Sequence, residues 1–237
     1  MAKRQMAAWL FIGTMAFSSV MCCHNPAASA TDISGIDASA DLQLLVATSQ
    51  YQQGLTAVAN GNLIQAMSNF DRAIELDPRY LPAYLERGSV KDAVNDFSGA
   101  MADFSTAISI DPKSALAYYN RGVVAGKSDR HQAAIADYDM AIALDPQHAS
   151  AYMNRGNERD DLGDLTGAIA DYDRAIQFRA NYALAYLNRG IAYGRAGNRT
   201  KAIADLDRAA KLFKATGNLD RYNRALKLID KLQKSEV

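Results

Sequence analysis

Five glycines spaced by 34 residues, Gly54, Gly88, Gly122, Gly156 and Gly190, constrain this chain more than any other feature. With 15 glycines among 237 residues, a column of five marks a structural unit used five times. Other columns keep the same step. Ala66, Ala100, Ala134, Ala168 and Ala202 form one, and Ala73, Ala107, Ala141, Ala175 and Ala209 form another. Phe70, Phe104, Tyr138, Tyr172 and Leu206 make a large apolar column. Tyr84, Tyr118, Tyr152 and Tyr186 make an aromatic one, with Gln50 in its place in the first unit. Asp-Pro closes three units at Pro78, Pro112 and Pro146, whereas Arg179-Ala180 stands at the fourth and predicts a less sharply broken junction there.

Each unit reads as a pair of helices, since alanine is abundant and only five prolines occur. In the third unit the first helix falls near residues 115–128 and the second near 132–144. A column reading Gly61, Asn95, Asp129, Gly163 and Gly197 places the turn, because these residue types accept the left-handed backbone at a helix end. The periodic glycine is expected to face the first alanine of the second helix and to let the two backbones approach. Proline then ends the unit, tolerated in the first turn of the next helix but not inside the last.

The order aromatic, glycine, alanine, aromatic, alanine, proline over 34 residues resembles the tetratricopeptide repeat. The resemblance implies an all-α, right-handed helical-hairpin solenoid of five tetratricopeptide repeats plus a C-terminal capping helix. The repeats fall at 47–80, 81–114, 115–148, 149–182 and 183–216, preceded by an arm and the start of the first helix at 31–46. Residues 217–237 are the cap and tail. Within them Leu219, Tyr222, Leu226, Ile229 and Leu232 share one helical face, and Arg221, Arg224, Lys227, Asp230, Lys231 and Lys234 the other. Such a helix shields the open end of the last repeat.

The first thirty residues read as an address. Lys3 and Arg4 precede a run without charge from Met6 to Cys23, and Ala28-Ser29-Ala30 supplies a small-residue exit. This is the pattern of a secretory signal peptide cleaved after Ala30. The alternative is an uncleaved inner-membrane anchor at residues 6–23, long enough at the lower edge of a membrane span. Met21 before Cys22 matches a lipoprotein cleavage box poorly. Cleavage removes both cysteines, Cys22 and Cys23. It also takes Lys3 and Arg4 from a balance of 26 basic against 26 acidic residues, leaving a formal charge of −2. A cysteine-free mature chain suits a periplasmic or secreted location, and no membrane insertion is expected after cleavage.

Chemistry is sparse. The charge balance gives no field to attract nucleic acid. The glycines are solitary and form no phosphate-binding loop. His24 lies in the leader, and His131 and His148 read as solvated histidines at inter-helix turns. No catalytic residue, cofactor site or metal site is assigned, and the chain is read as a non-enzyme. Acidic pairs recur in Ala-Asp-Tyr-Asp at 136–139 and 170–173 and Ala-Asp-Leu-Asp at 204–207. Because they recur with the repeat, their expected partners are the strict column Arg87, Arg121, Arg155 and Arg189, in structural ion pairs.

In the tetratricopeptide family the first helices line a concave groove that receives a peptide or protein, so the resemblance implies a protein-binding role. Projected onto that face are Tyr119 and Val123, Met153 and Asn157, and Leu187 and Ile191, flanked by Asn120, Asn154 and Asn188. Side-chain amides both donate and accept, so a row of them can pair with a peptide backbone of any sequence; it can equally serve the fold. Family members that grip chaperone C-termini carry lysine and arginine where this chain has Tyr119, Met153 and Leu187, so no such carboxylate clamp is expected. The function read is an exported interaction scaffold or adaptor. A membrane-anchored assembly factor and a non-catalytic subunit of an envelope enzyme complex are the alternatives.

Overall fold

The computed structural model describes residues 38–234; the leader, its cleavage site after Ala30 and the anchor alternative at 6–23 lie outside them. Eleven α-helices and no strand occur among the described residues: α1 (Ala38–Ala59), α2 (Leu63–Leu76), α3 (Leu81–Ala93), α4 (Phe97–Ile110), α5 (Ala115–Lys127), α6 (His131–Leu144), α7 (Ala149–Asp161), α8 (Leu165–Phe178), α9 (Ala183–Arg195), α10 (Arg199–Ala215) and α11 (Leu219–Lys234). Odd-numbered helices through α9 are the first helices of the five repeats, and each even-numbered helix is a second.

The turn column behaves as its chemistry requires. Gly61, Asn95, Asp129, Gly163 and Gly197 all have positive φ, from 55° at Asp129 to 85° at Gly163. Next to them Asn62, Asp96, Asp164 and Asn198 cap the second helices, each side chain accepting from an amide three residues on. Asp77, Asp111 and Asp145 stop the second helices and accept from the amides of Arg79, Lys113 and Gln147. The expected blurring at Arg179-Ala180 does not occur. Helix α8 ends at Phe178, and Arg179 N still donates to Ala175 O as at the other junctions. Proline therefore sharpens a stop that the backbone already makes.

In the first four repeats the periodic glycine lies against an aromatic ring, and in the fifth Gly190 lies against Leu206 and the first alanine, Ala202, as expected. A Cβ built on Gly122 would lie 2.8 Å from Tyr138 Cε1, and one on Gly156 2.7 Å from Tyr172 Cε1. The large column of the second helix thus fills the hollow left by its own repeat's glycine. Phe70, Phe104, Tyr138, Tyr172 and Leu206 are all essentially inaccessible, and the first three each cluster with buried alanines of both columns. One apolar cluster forms per repeat or junction, and the last joins α9 and α10 to α11.

Helix α11 covers that last repeat with a face shifted from the one expected. Ala225 is fully buried, and Tyr222, Leu228, Ile229 and Leu232 pack around it. Leu219 and Leu226 point outward, 60% and 41% exposed. A single helical turn accommodates either stripe, and the small Ala225 lets the helix sit closer than a leucine would.

Candidate functional site

The arginine column joins the repeats. Arg155 of α7 holds Asp171 of its own repeat through Nε and Nη2, at 2.9 and 2.6 Å, and reaches back with Nη1 to Asp139 of the preceding repeat at 2.5 Å. Arg87 does the same with Asp103 and Asp71, and Arg189 with Asp205 and Asp173. Arg121 grips Asp137 in the same fork but finds Ser105 on the other side. Each guanidinium also lies 5.4–5.7 Å from the centre of the tyrosine ring three residues before it. Burial works against the charge on Arg87, Arg155 and Arg189, yet the hydrogen bonds to their carboxylates outweigh it and push the pKa up. These recurrent acids are spent on structure.

The remaining face of the first helices is the candidate site. Successive first helices touch one another, α3 with α5, α5 with α7 and α7 with α9, with no comparable contact between successive second helices. The first helices therefore run side by side along one face of the array. Of the residues projected onto that face, Tyr119, Met153 and Leu187 are buried, Leu187 to 1% exposure, and belong to the repeat cores. They form its floor, and burial pushes the Tyr119 phenol up to about 12. Val123 and Ile191 are half-buried, as are Asn120, Asn154, Asn157 and Asn188.

The asparagines are partly committed to one another. Asn188 Nδ2 donates to Asn157 Oδ1 at 2.8 Å, the same oxygen that accepts from the Tyr172 hydroxyl at 2.9 Å. Asn154 Nδ2 donates to the Tyr119 hydroxyl at 3.3 Å. The amide of Asn120 and the oxygen of Asn188 have no protein partner among the described residues, and neither is closed off from solvent. Asn157, Asn188 and Ile191 meet Asp160, Asp161 and Arg224 of the cap around a cleft of about 310 Å³. Arg224 was not legible as a site residue, since nothing in the repeat pattern brings the cap to this face.

The histidines are not simply solvated. His148 Nδ1 accepts from Ala151 N at the start of α7, and its ring lies 4.7 Å from that of Tyr119. Burial lowers its pKa. His131 Nδ1 lies 2.8 Å from Glu158 Oε2 in the next repeat, and that hydrogen bond raises the pKa of His131. Glu158 is itself raised by burial. No helix among the described residues is long and apolar enough to cross a membrane.

Stacked helical hairpins with a left-handed turn between helices and an uncovered first-helix face define a repeat array. Sequence profiles described as tetratricopeptide repeat match residues 47–80, 115–148 and 184–216, and one described as TPR repeat matches 93–129 and 156–197. Together they span more than half of the chain, which belongs to the tetratricopeptide repeat family. Among solved structures, that of MamA is 26% identical with a TM-score of 0.65, covering 70% of this chain and 96% of its own. YrrB, described as a TPR protein with an unusual peptide-binding site, is 23% identical with a TM-score of 0.62 over 76% and 92% of the two chains. PilW, described as a type IV pilus biogenesis factor, is 22% identical with a TM-score of 0.64 over 81% and 96%. The last two show the fold. No curated protein sequence matches the chain.

Proposed function

We propose that the protein is an exported, non-catalytic scaffold that holds a peptide or protein segment along the face of its first helices. One observation carries the reading: a row of half-buried amides, Asn120, Asn154, Asn157 and Asn188, in which Asn120 and the oxygen of Asn188 still have bonds to make. A backbone laid along the row would satisfy them whatever its sequence, and Val123 and Ile191 would select apolar side chains beside it. The binding set is therefore Asn120, Val123, Asn154, Asn157, Asn188 and Ile191 above a floor of Tyr119, Met153 and Leu187. YrrB offers a structural parallel in a protein described by its peptide-binding site.

Changing Asn120, Asn154 and Asn188 together to alanine tests this. Capture of partner from an envelope extract should fall sharply while far-UV circular dichroism is unchanged; undiminished capture contradicts the groove reading. Export is tested separately by mass spectrometry of the native N-terminus. A first residue of Thr31 supports the exported form. An intact leader supports the anchored assembly factor, a second reading that the uncharged run from Met6 to Cys23 favours.

A further inference from the structure

Ion pairs join successive first helices at two of the four junctions; at the junction of α1 and α3 the same positions hold Val58 and Ala93. Asp92 of α3 meets Lys127 of α5, whose Nζ lies 2.6 and 2.8 Å from the two carboxylate oxygens. Asp160 of α7 meets Arg195 of α9 in the same way. Between them, at the junction of α5 and α7, Gly126 stands where the acid would be and Asp161 where the cation would be. Asp161 makes no ion pair among the described residues.

Two core columns change character at the same junction. The column of Glu158 holds Val90, Val124 and Ala192, all buried, at the other junctions between repeats, and the exposed Thr56 in the first repeat. The column of His131 holds Leu63, Phe97 and Leu165 before the other junctions between repeats, and Arg199 in the last repeat. Two apolar positions have been exchanged for an ionisable pair, once, in a chain where structural features recur. The absent side chain at Gly126 makes the room, because a Cβ there would collide with Glu158 Oε1. Ligand atoms of His131, Glu158 and Asp161 all lie within 4.8 Å of one another. An ion pair with His131 requires only Glu158, yet Asp161 brings a second carboxylate to the same imidazole.

We propose that His131 Nδ1, Glu158 and Asp161 form a divalent-cation site of the Zn²⁺ class between the third and fourth repeats. One imidazole with two carboxylates is a nitrogen–oxygen donor set suited to Zn²⁺ rather than to Mg²⁺ or Ca²⁺, which prefer oxygen alone. Tetrahedral bonds of about 2.0–2.1 Å put ligand atoms roughly 3.4 Å apart. The exposed Asp161 side chain closes that distance by a rotamer change. The cation displaces the proton shared by His131 and Glu158, so binding weakens as pH falls. Asp161 also lines the cleft with Asn157, Asp160 and Asn188, which leaves the open coordination positions within reach of a bound segment. The site stands whether or not the groove binds peptide.

Calorimetric titration of the full chain with Zn²⁺ alone tests this, comparing wild type with H131A and D161N. H131A should lose one equivalent of Zn²⁺. D161N should bind it at least about tenfold more weakly, with unchanged helicity and urea midpoint. Titration with Co²⁺ separates this site from the leader, because Cys22 and Cys23 would add thiolate charge-transfer absorption that His131 and carboxylates do not. Equal stoichiometry and affinity in wild type and H131A overturns the proposal, as does D161N binding Zn²⁺ as tightly as wild type or a wild-type titration without binding.

Discussion

Replacing Arg121 with methionine should destabilise the array more than replacing Arg155, although the two occupy one column and make the same fork. Methionine keeps most of the apolar stem and removes the charge. Asp137, with its side chain 9% exposed, has Arg121 as its one cation among the described residues. Asp171, 3% exposed, has Arg155 and also Arg159, whose Nη1 lies 2.8 Å away; the third repeat has Ala125 at the position of Arg159. Removing one partner of a buried pair costs about 3–5 kcal/mol, because the stranded charge remains. R155M leaves a charged hydrogen bond worth about 1.5–3 kcal/mol in place, so its cost falls to about 1–3 kcal/mol. Its lost contact with Asp139, half-exposed, adds little. A gap of about 2 kcal/mol is therefore expected between R121M and R155M. Adding D137N to R121M should recover part of the loss, since a neutral amide is cheaper to bury than an unpaired carboxylate. Urea unfolding followed at 222 nm measures this, with m-values compared because repeat arrays can lose cooperativity. Equal costs for the two arginines, or a larger one for Arg155, would refute the argument that the second cation decides.

Two further outcomes follow from the turn and the packing. G122L forces a side chain into the Tyr138 ring and should lower stability by about 1–3 kcal/mol, whereas G163A meets nothing within 4 Å and carries only the left-handed backbone strain at φ +85°, about 1–2 kcal/mol; thermal midpoints rank them. His148 has its pKa lowered by burial, so its contribution to stability is complete above the unfolded value near 6.5 and is lost as pH falls through the folded value. H148N keeps an acceptor for Ala151 N and should flatten the loss of urea midpoint between pH 7.5 and 5; an unchanged slope in H148N contradicts that assignment. The His131–Glu158 pair works in the opposite sense, with the raised pKa of His131 giving stability below 6.5 that fades as pH rises, and is common to both proteins compared.

What could be read from the sequence was whatever recurs. The 34-residue columns placed the helices of the third repeat to within a residue, and the turn column located every positive-φ position between paired helices. The Arg–Asp partnership was also legible, since both members repeat. Three things were not. That Gly122 lies closest to the Tyr138 ring depends on how the two helices rotate about their axes, which spacing leaves open. Leu187 projects onto the groove face yet lies under it, because helical projection gives direction without depth. His131 and Glu158 lie 27 residues apart, a separation outside the period, so no column brings them together. The residues that set this protein apart from a generic repeat are those that break its periodicity, and only side-chain placement shows where they meet.

Site-specific photo-crosslinking in the native cell tests the central claim most directly. A photoreactive residue placed at Asn120 or Asn154 on the first-helix face is compared with one at Ala136 or Ala170, both exposed on second helices. The account predicts a discrete cross-linked partner from the first two positions and none from the last two. Cross-links confined to Ala136 and Ala170, or equal from both faces, would contradict it.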